Sequence, residues 1–203
     1  MKTIEYYLPG EDMYGIGCAF ATQIYREKLH MTVHRLPDVL FVAHEDGIPL
    51  ACIGLNRKVH NVIFTEDAEI QEALEKIPDS QSLGEQYLWA SNGYSLGATI
   101  LVSVLASYAS KNSIRNVIFT GTMIAMRSMR AIGARPVLVG KVKETVLHDH
   151  DKKNCEKWFS VYRGTHAYVQ PVKEMELLNE RMLHLHQNEV TLGPKLMRVF
   201  YKQ

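Results

Sequence analysis

The stretch 85-EQYLWASNGYSLGATILVSVLASYASKNSIRNVIFTGTMIAMRSMRAIGARPVLVGKV-142 decides the architecture. It opens on a short aromatic run, Glu85 to Ala90, that suits a strand, and breaks at Asn92-Gly93, a dipeptide that favours tight turns. From about Ser95 to Lys111, Leu96, Ile100, Leu101, Val104, Leu105 and Tyr108 recur at helical spacing. Asn116 to Thr120 has the continuous apolar pattern of a buried strand. Gly121 to Ile132 returns to helical spacing and stops at Gly133, the residue type that best ends a helix in the left-handed conformation. Arg135 to Val142 then reads as another strand. Strand, turn, helix, strand, helix, strand implies a parallel or mixed sheet with helices packed on its faces.

Upstream, 39-VLFVAHEDGIPLACIGLNR-57 places two β-rich runs around Asp46-Gly47, a hairpin signal, so the sheet is expected to be mixed. Met13 to Leu29 is expected to be helical, with Ile16, Phe20, Ile24 and Leu29 as its apolar stripe and Lys28 suiting the helix dipole. A second helix is expected through 66-EDAEIQEALEKI-77, capped by Thr65 and stopped at Pro78-Asp79. Val172 to Gln187, with Val172, Met175, Leu178, Met182 and Leu185, predicts a C-terminal helix. Val190 to Gln203 reads equally as a strand or as a docking tail. The chain thus divides into a main domain, 1–173, and a helix and tail, 174–203, packing on that domain or on a partner.

At 203 residues, 46% hydrophobic and 22% charged, the chain suits one large globular domain. A net charge of +1 without a basic stripe argues against nucleic acid as a partner. Cys18, Cys52 and Cys155 are an odd set with no Cys-x-x-Cys pair, against a disulfide framework or a structural zinc site and in favour of the cytoplasm. The N-terminus lacks the apolar core of a signal peptide, and the most apolar stretch, Ala98 to Ala109, is about 12 residues, too short to span a bilayer.

The strand-to-helix turn 90-ASNGYSLGAT-99 can offer backbone N–H groups to a phosphate at a helix N-terminus, or be an ordinary Asn-Gly turn capped by Ser95. It is neither a Walker loop nor a G-x-G-x-x-G fingerprint. Glu85, at the start of the preceding strand, either faces water or lies against apolar surface. There a raised pKa would make it a base toward an amine. Thr120-Gly121-Thr122 is a second such turn, binding substrate or capping a helix. Arg127 and Arg130, at i and i+3, can clamp an anion or face solvent. The nine histidines, among them His148, His150, His184 and His186, show no recognised zinc spacing, so no metal is expected.

In their order these motifs resemble the GNAT superfamily of N-acyltransferases, and within it the bacterial family named for thermostable hemolysin. The resemblance rests on Ile63 to Glu66 before a helix, on Glu85 with Trp89-Ala90, on 119-FTGTMIAMRSMRAIGARP-136 and on 158-WFSVY-162, and covers roughly residues 13 to 173. It implies a GNAT-like mixed sheet flanked by helices. It implies a thioester donor, acyl-CoA or the acyl-phosphopantetheine of an acyl carrier protein, held as substrate with no permanently bound cofactor. The donor pyrophosphate would fall to Asn92, Gly93, Ser95, Gly97 and Ala98, although only Gly97-Ala98 matches the end of the usual loop pattern. The chain is similar also to acyl-homoserine lactone synthases and N-acyl amino acid synthases, through Tyr25-Arg26 and Glu85.

By the same resemblance Glu85 would be the base, with backbone amides of Trp89, Ala90 and Ser91 polarising the carbonyl. Tyr162 or Tyr94 would protonate the thiolate. Arg127, Arg130 and Lys111 would meet the phosphopantetheine, with Thr120 beside it. Arg26, Glu66, Phe119 and Thr122 would meet the substrates, and Trp89, Phe119 and Met123 would wall the acyl chain. The acceptor would be a small-molecule amine, the product a signal or secondary metabolite, and the assembly compatible with a homodimer. The alternative is a non-catalytic GNAT-like binding or lipid-active protein.

Overall fold

A computed structural model describes residues 1–93, 95–121, 123–131, 133–143 and 165–201. The deciding stretch forms β4 (Leu83–Ser91), α4 (Ser95–Lys111), β5 (Asn116–Gly121), α5 (Met123–Ala131) and β6 (Val137–Lys141). β4 and β5 are parallel neighbours joined over α4, the connection that parallel strands require. β6 does not continue that pattern. A strand the sequence did not reveal, β7 (His166–Pro171), lies between β5 and β6 and is antiparallel to both.

The hairpin is β2 (Val39–Glu45) and β3 (Ile48–Asn56). Its two-residue turn holds Asp46 at φ 50° and Gly47 at φ 79°, the left-handed pair that a tight hairpin needs. β1 (Lys2–Tyr7) pairs antiparallel with β2, and β8 (Val190–Leu192) adds parallel to β1, completing the order β6-β7-β5-β4-β3-β2-β1-β8. The mixed α/β sheet expected from the sequence is therefore present. β8 and α7 (Pro194–Tyr201) resolve the ambiguous C-terminal segment: Glu5 on β1 accepts hydrogen bonds from the first backbone N–H groups of α7.

On one face α4, α5, α6 (Val172–Leu185) and α7 bury the largest core. On the other, α1 (Asp12–Ile24) covers β2 to β4, while α2 (Val62–Thr65) and α3 (Ala68–Glu75) cover the β5 and β7 side. Every residue from Ile100 to Ala106 is buried, because α4 is sandwiched between the sheet and α6.

Three expectations need correction. α1 does not bury an Ile16 stripe: Ile16 is 46% exposed, and the buried face is Tyr14, Gly17, Cys18 and Ala21. A Cβ on Gly17 would lie 2.6 Å from Leu40 Cδ2, so small residues must face the sheet for the helix to approach it. The cap of α3 is Asp67, whose carboxylate accepts from Glu69 and Ile70 N–H, and not Thr65. Leu185, assigned to the apolar stripe of α6, is exposed at its end. Gly133 takes φ 93° as expected, with Ala134 N–H returning to Met129 O.

Candidate active site

The chemistry gathers along β4, whose two edges differ. Toward β3 it is paired from Glu85 to Ser91, with Ala90 opposite Cys52 and Tyr87 opposite Gly54. Leu88 and Trp89 thus share the place opposite Ile53, which is a β-bulge. Leu88 carries the distortion at φ 56° while almost fully buried. For a leucine that conformation costs roughly 1–2 kcal/mol, so surrounding packing must hold it. Toward β5 the ladder runs only through Leu83–Asn116, Gly84–Val117 and Glu85–Ile118. Beyond it Gln86 to Ser91 and Phe119 to Gly121 make no rungs with each other, and the parallel strands part.

Glu85 sits on the last rung before the split and is 2% exposed. Burial raises its carboxyl above the ordinary range, since a desolvated carboxylate loses hydration. The backbone N–H of His60 donates to Oε2 at 2.9 Å and offsets part of that cost. The Asn61 N–H and the Asn56 amide act in the same direction more weakly. Asn56 is the cross-strand partner of Glu85; its Oδ1 accepts from Asp38 N–H, while its buried Nδ2 has no hydrogen-bond partner among the described residues. A carboxyl with a raised pKa and an amide that favours its charged form thus lie together inside the protein.

An open groove of about 540 Å³ is lined by Leu8, Pro9, Asp38, Arg57, Lys58 and His60. Two of its walls bond directly to the buried pair, Asp38 N–H to Asn56 and His60 N–H to Glu85, while Arg57 N–H donates to Asp38 Oδ2 at 2.8 Å. Asp38 and Asn56 were missed in the sequence because only the β2–β3–β4 register brings them to Glu85.

Tyr25 entered the sequence reading only through the Tyr25-Arg26 resemblance, with no role of its own. α1 ends in a π-helical turn, Tyr25–Leu29, a local form frequent at functional positions. It packs Tyr25 among Tyr87, Leu88 and Cys52, and its phenol, raised above the ordinary value by burial, interacts with the backbone N–H of Trp89 in the bulge.

The other expected residues fall into distinct places. Trp89 and Phe119 belong to the core on the α4 face, together with Met126 and Met129. Ala90 is buried with Cys52 on the α1 face, and Ser91 ends β4. Asn92 and Gly93 form the exposed turn, anchored by Asn92 N–H to Leu50 O, with Gly93 at φ 78°. Ser95, Gly97 and Ala98 lie in the first turn of α4. Thr120 is half-buried in β5, while Arg127 and Arg130 are exposed on α5. Arg26 is exposed on the π-turn and Glu66 just after α2. Lys111 ends α4, about 24 Å from its N-terminus at 1.5 Å per residue, too far to meet the same phosphate as the turn. Tyr94, Thr122, Tyr162, His148, His150 and the Trp158 segment lie outside the described residues. No cluster of potential metal ligands occurs among the described residues, and no described helix is long and apolar enough to cross a membrane.

No protein-family model matches the chain, and no curated protein matches it by sequence. The fold is found among solved structures. The CoA-dependent acyl-homoserine lactone synthase BjaI, with SAM and isopentyl-CoA, matches at TM-score 0.63 and 14% identity over 98% of this chain and 99% of its own. The acyl-homoserine lactone synthase LasI matches at TM-score 0.59 and 15% identity over 88% and 93%. FeeM, an N-acyl amino acid synthase from uncultured soil microbes, matches at TM-score 0.58 and 13% identity over 89% and 99%. The class is therefore an α/β fold shared with acyl-homoserine lactone and N-acyl amino acid synthases.

Proposed function

We propose that the protein is an N-acyltransferase that moves an acyl group from a thioester donor to a small-molecule amine. The observation that carries this reading is the parting of β4 from β5 at Glu85, a buried carboxyl with raised pKa whose hydrogen-bond donor His60 lines an open groove. The donor arm would lie in the split, its pyrophosphate at Asn92–Ala98, its carbonyl beside the β4 bulge, and its acyl chain against Trp89 and Phe119. The amine would enter over Asp38, Arg57 and His60. Its nitrogen attacks the thioester carbonyl, the C–S bond breaks, and the amine proton passes to Glu85, directly or through water. The thiolate takes a proton from Tyr94 or Tyr162, so the products are an amide and a free thiol.

BjaI, a CoA-dependent synthase with isopentyl-CoA, supports a donor of CoA type, and FeeM as an N-acyl amino acid synthase supports an acylated amine as product; a carrier-protein donor and a signal or metabolite role for the product complete the proposal. In this reading Arg127 and Arg130 would bind a carrier protein, and Thr120, Thr122, Arg26 and Glu66 would contact the substrates. A finer kinship with the thermostable-hemolysin family is part of this proposal and is supported by the sequence motifs at 63–66, 85–90, 119–136 and 158–162. A cytoplasmic place of action fits the buried, unpaired Cys18 and Cys52. Residues 1–173 and 174–203 work as one unit, because α6 packs on α4 and β8 pairs with β1; light scattering tests for a homodimer.

The deciding experiment incubates the purified protein with acyl-CoA and acyl-carrier-protein thioesters, with and without amines, and follows thiol release and amide formation by mass spectrometry. Amine-dependent thiol release that collapses in Glu85→Gln supports the reading. Neither binding nor turnover of any thioester would replace it with a non-catalytic, lipid- or partner-binding role.

A further inference from the structure

The end of α1 meets the bulge of β4, and both depart from regular geometry there. Tyr87 pairs with Gly54 and Ala90 with Cys52, so Leu88 and Trp89 between them have no rungs of their own. A backbone N–H freed inside a sheet needs another acceptor. The Trp89 N–H finds one in the phenol oxygen of Tyr25, which packs with Tyr87, Leu88 and Cys52. Tyr25 is held at its other end as well. Its carbonyl oxygen accepts the N–H groups of His30 and of Met31, the latter at 3.1 Å, and His30 ends the π-helical turn at φ 54°. The turn fixes the backbone of Tyr25 and the bulge fixes its hydroxyl.

That hydroxyl still has a proton to give. A phenol that accepts a hydrogen bond keeps one O–H donor, and a donor at its oxygen strengthens it. Burial holds the proton on Tyr25 well beyond neutral pH. The ring is half-buried, so one side stays open to a ligand. Glu85 and Tyr87, two apart on β4, share a face, and Tyr25 packs on that face. From Glu85 to the bulge is three to four residues, about 10 Å along the strand. The nitrogen and oxygen of a tetrahedral adduct, each hydrogen-bonded at about 2.9 Å to a group beyond it, span roughly 8 Å. The two lengths are of one scale, so Glu85 and Tyr25 can hold the two ends of a single adduct.

We propose that Tyr25 is a catalytic residue of the acyl transfer, its O–H donating to the thioester carbonyl oxygen while the Trp89 N–H acts through it. The inference rests on the acyltransferase reading and adds a group that reading does not use. As the amine nitrogen attacks, the carbonyl π pair moves to oxygen, where Tyr25 stabilises it by hydrogen bonding. When the C–S bond breaks, the pair returns to re-form the carbonyl. The thiolate takes its proton from Tyr94 or Tyr162, and Tyr25 keeps its own. A donor aimed at the oxyanion is worth more in the transition state than in the ground state, so its effect falls on turnover and not on donor binding.

The test compares Tyr25→Phe, which keeps the ring and removes only the hydroxyl, with Tyr25→difluorotyrosine, which keeps a hydroxyl that ionises at lower pH. Thiol release at saturating amine and thioester binding by native mass spectrometry are measured for each. Tyr25→Phe should lower turnover by roughly a hundredfold, with thioester affinity within about twofold of wild type. Tyr25→difluorotyrosine should lose turnover on the alkaline side at a lower pH than wild type, a shift that a packing role does not produce. It also decides the question if Tyr25→Phe fails to fold. A folded Tyr25→Phe with wild-type turnover, one that loses only affinity, or an unmoved alkaline limb with difluorotyrosine overturns the role of Tyr25 and leaves the acyltransferase reading standing. A wild type that neither binds nor turns over any thioester overturns both.

Discussion

Two buried glutamates on neighbouring parts of one sheet show how the same residue type is used in opposite ways. Glu5 on β1 is 4% exposed, and its carboxylate accepts three backbone N–H groups: Tyr6 at 2.9 Å, Lys195 at 2.6 Å and Leu196 at 3.0 Å. Two of those donors are the otherwise unsatisfied N–H groups at the start of α7, where a carboxylate is also favoured by the helix dipole. Gly193 leaves the space, since a Cβ there would collide with that carboxylate. Glu85 is buried as deeply, yet burial outweighs its hydrogen bonds and its carboxyl rises above the ordinary range. The carboxylate surrounded by helix N–H groups fastens the C-terminus; the one less well compensated is poised to take a proton.

The largest effect expected from that contrast is at Glu85. Glu85→Gln should lower amide formation by roughly a hundredfold to ten-thousandfold while leaving thioester binding intact. Its pH dependence carries a definite sign. The folded carboxyl binds its proton more tightly than the unfolded one, so ionisation at Glu85 weakens folding. Stability should therefore fall as pH rises from the ordinary carboxylate range through the raised value, and that slope should flatten in Glu85→Gln. Urea denaturation at a series of pH values measures it, and an unchanged slope would show that the hydrogen bonds of Glu85 offset its burial.

Glu5→Ala should do the reverse. Thioester turnover at low temperature should survive, while urea denaturation should show a loss of about 1–3 kcal/mol from stranded α7 donors. A fall in turnover without a stability loss would erase the distinction between the two residues. Asn56→Leu should sharpen it: without the amide that favours the charged form, the Glu85 limb of the pH–rate profile should move to higher pH, with a rate loss of roughly tenfold at neutral pH. The smallest effect belongs to Lys195, which pairs with Glu11 at 2.6 Å across partly exposed surface. Lys195→Met should cost at most about 1 kcal/mol, and less in high salt.

Much of the local structure is legible in single residues. Asp46-Gly47, Gly93 and Gly133 mark turns because their backbones take left-handed conformations that few other residues accept. The long apolar run of α4 marks a helix buried on all sides. β1 and β7 were not legible, and β8 only as one of two readings of the C-terminal segment, because short strands gain their stability from partners distant in the chain. The bulge was hidden too: EQYLWA reads as an ordinary strand, and only packing around Leu88 forces it to φ 56°. For Glu85 the sequence left two outcomes open, solvent or apolar surface, and the decision lay with residues at 38, 56 and 60 that no local pattern connects to it.

The sequence by itself determined the mixed α/β class, the hairpin, the strand-to-helix turn after β4 and the central helix, since each depends on backbone preferences and hydrophobic period over a few neighbouring residues. Tertiary structure alone decided where β4 parts from β5, which helix face α1 buries, and which glutamate is satisfied by helix N–H groups. Those outcomes are set by register and desolvation, which depend on groups far apart in the chain, and no stretch of sequence contains both partners.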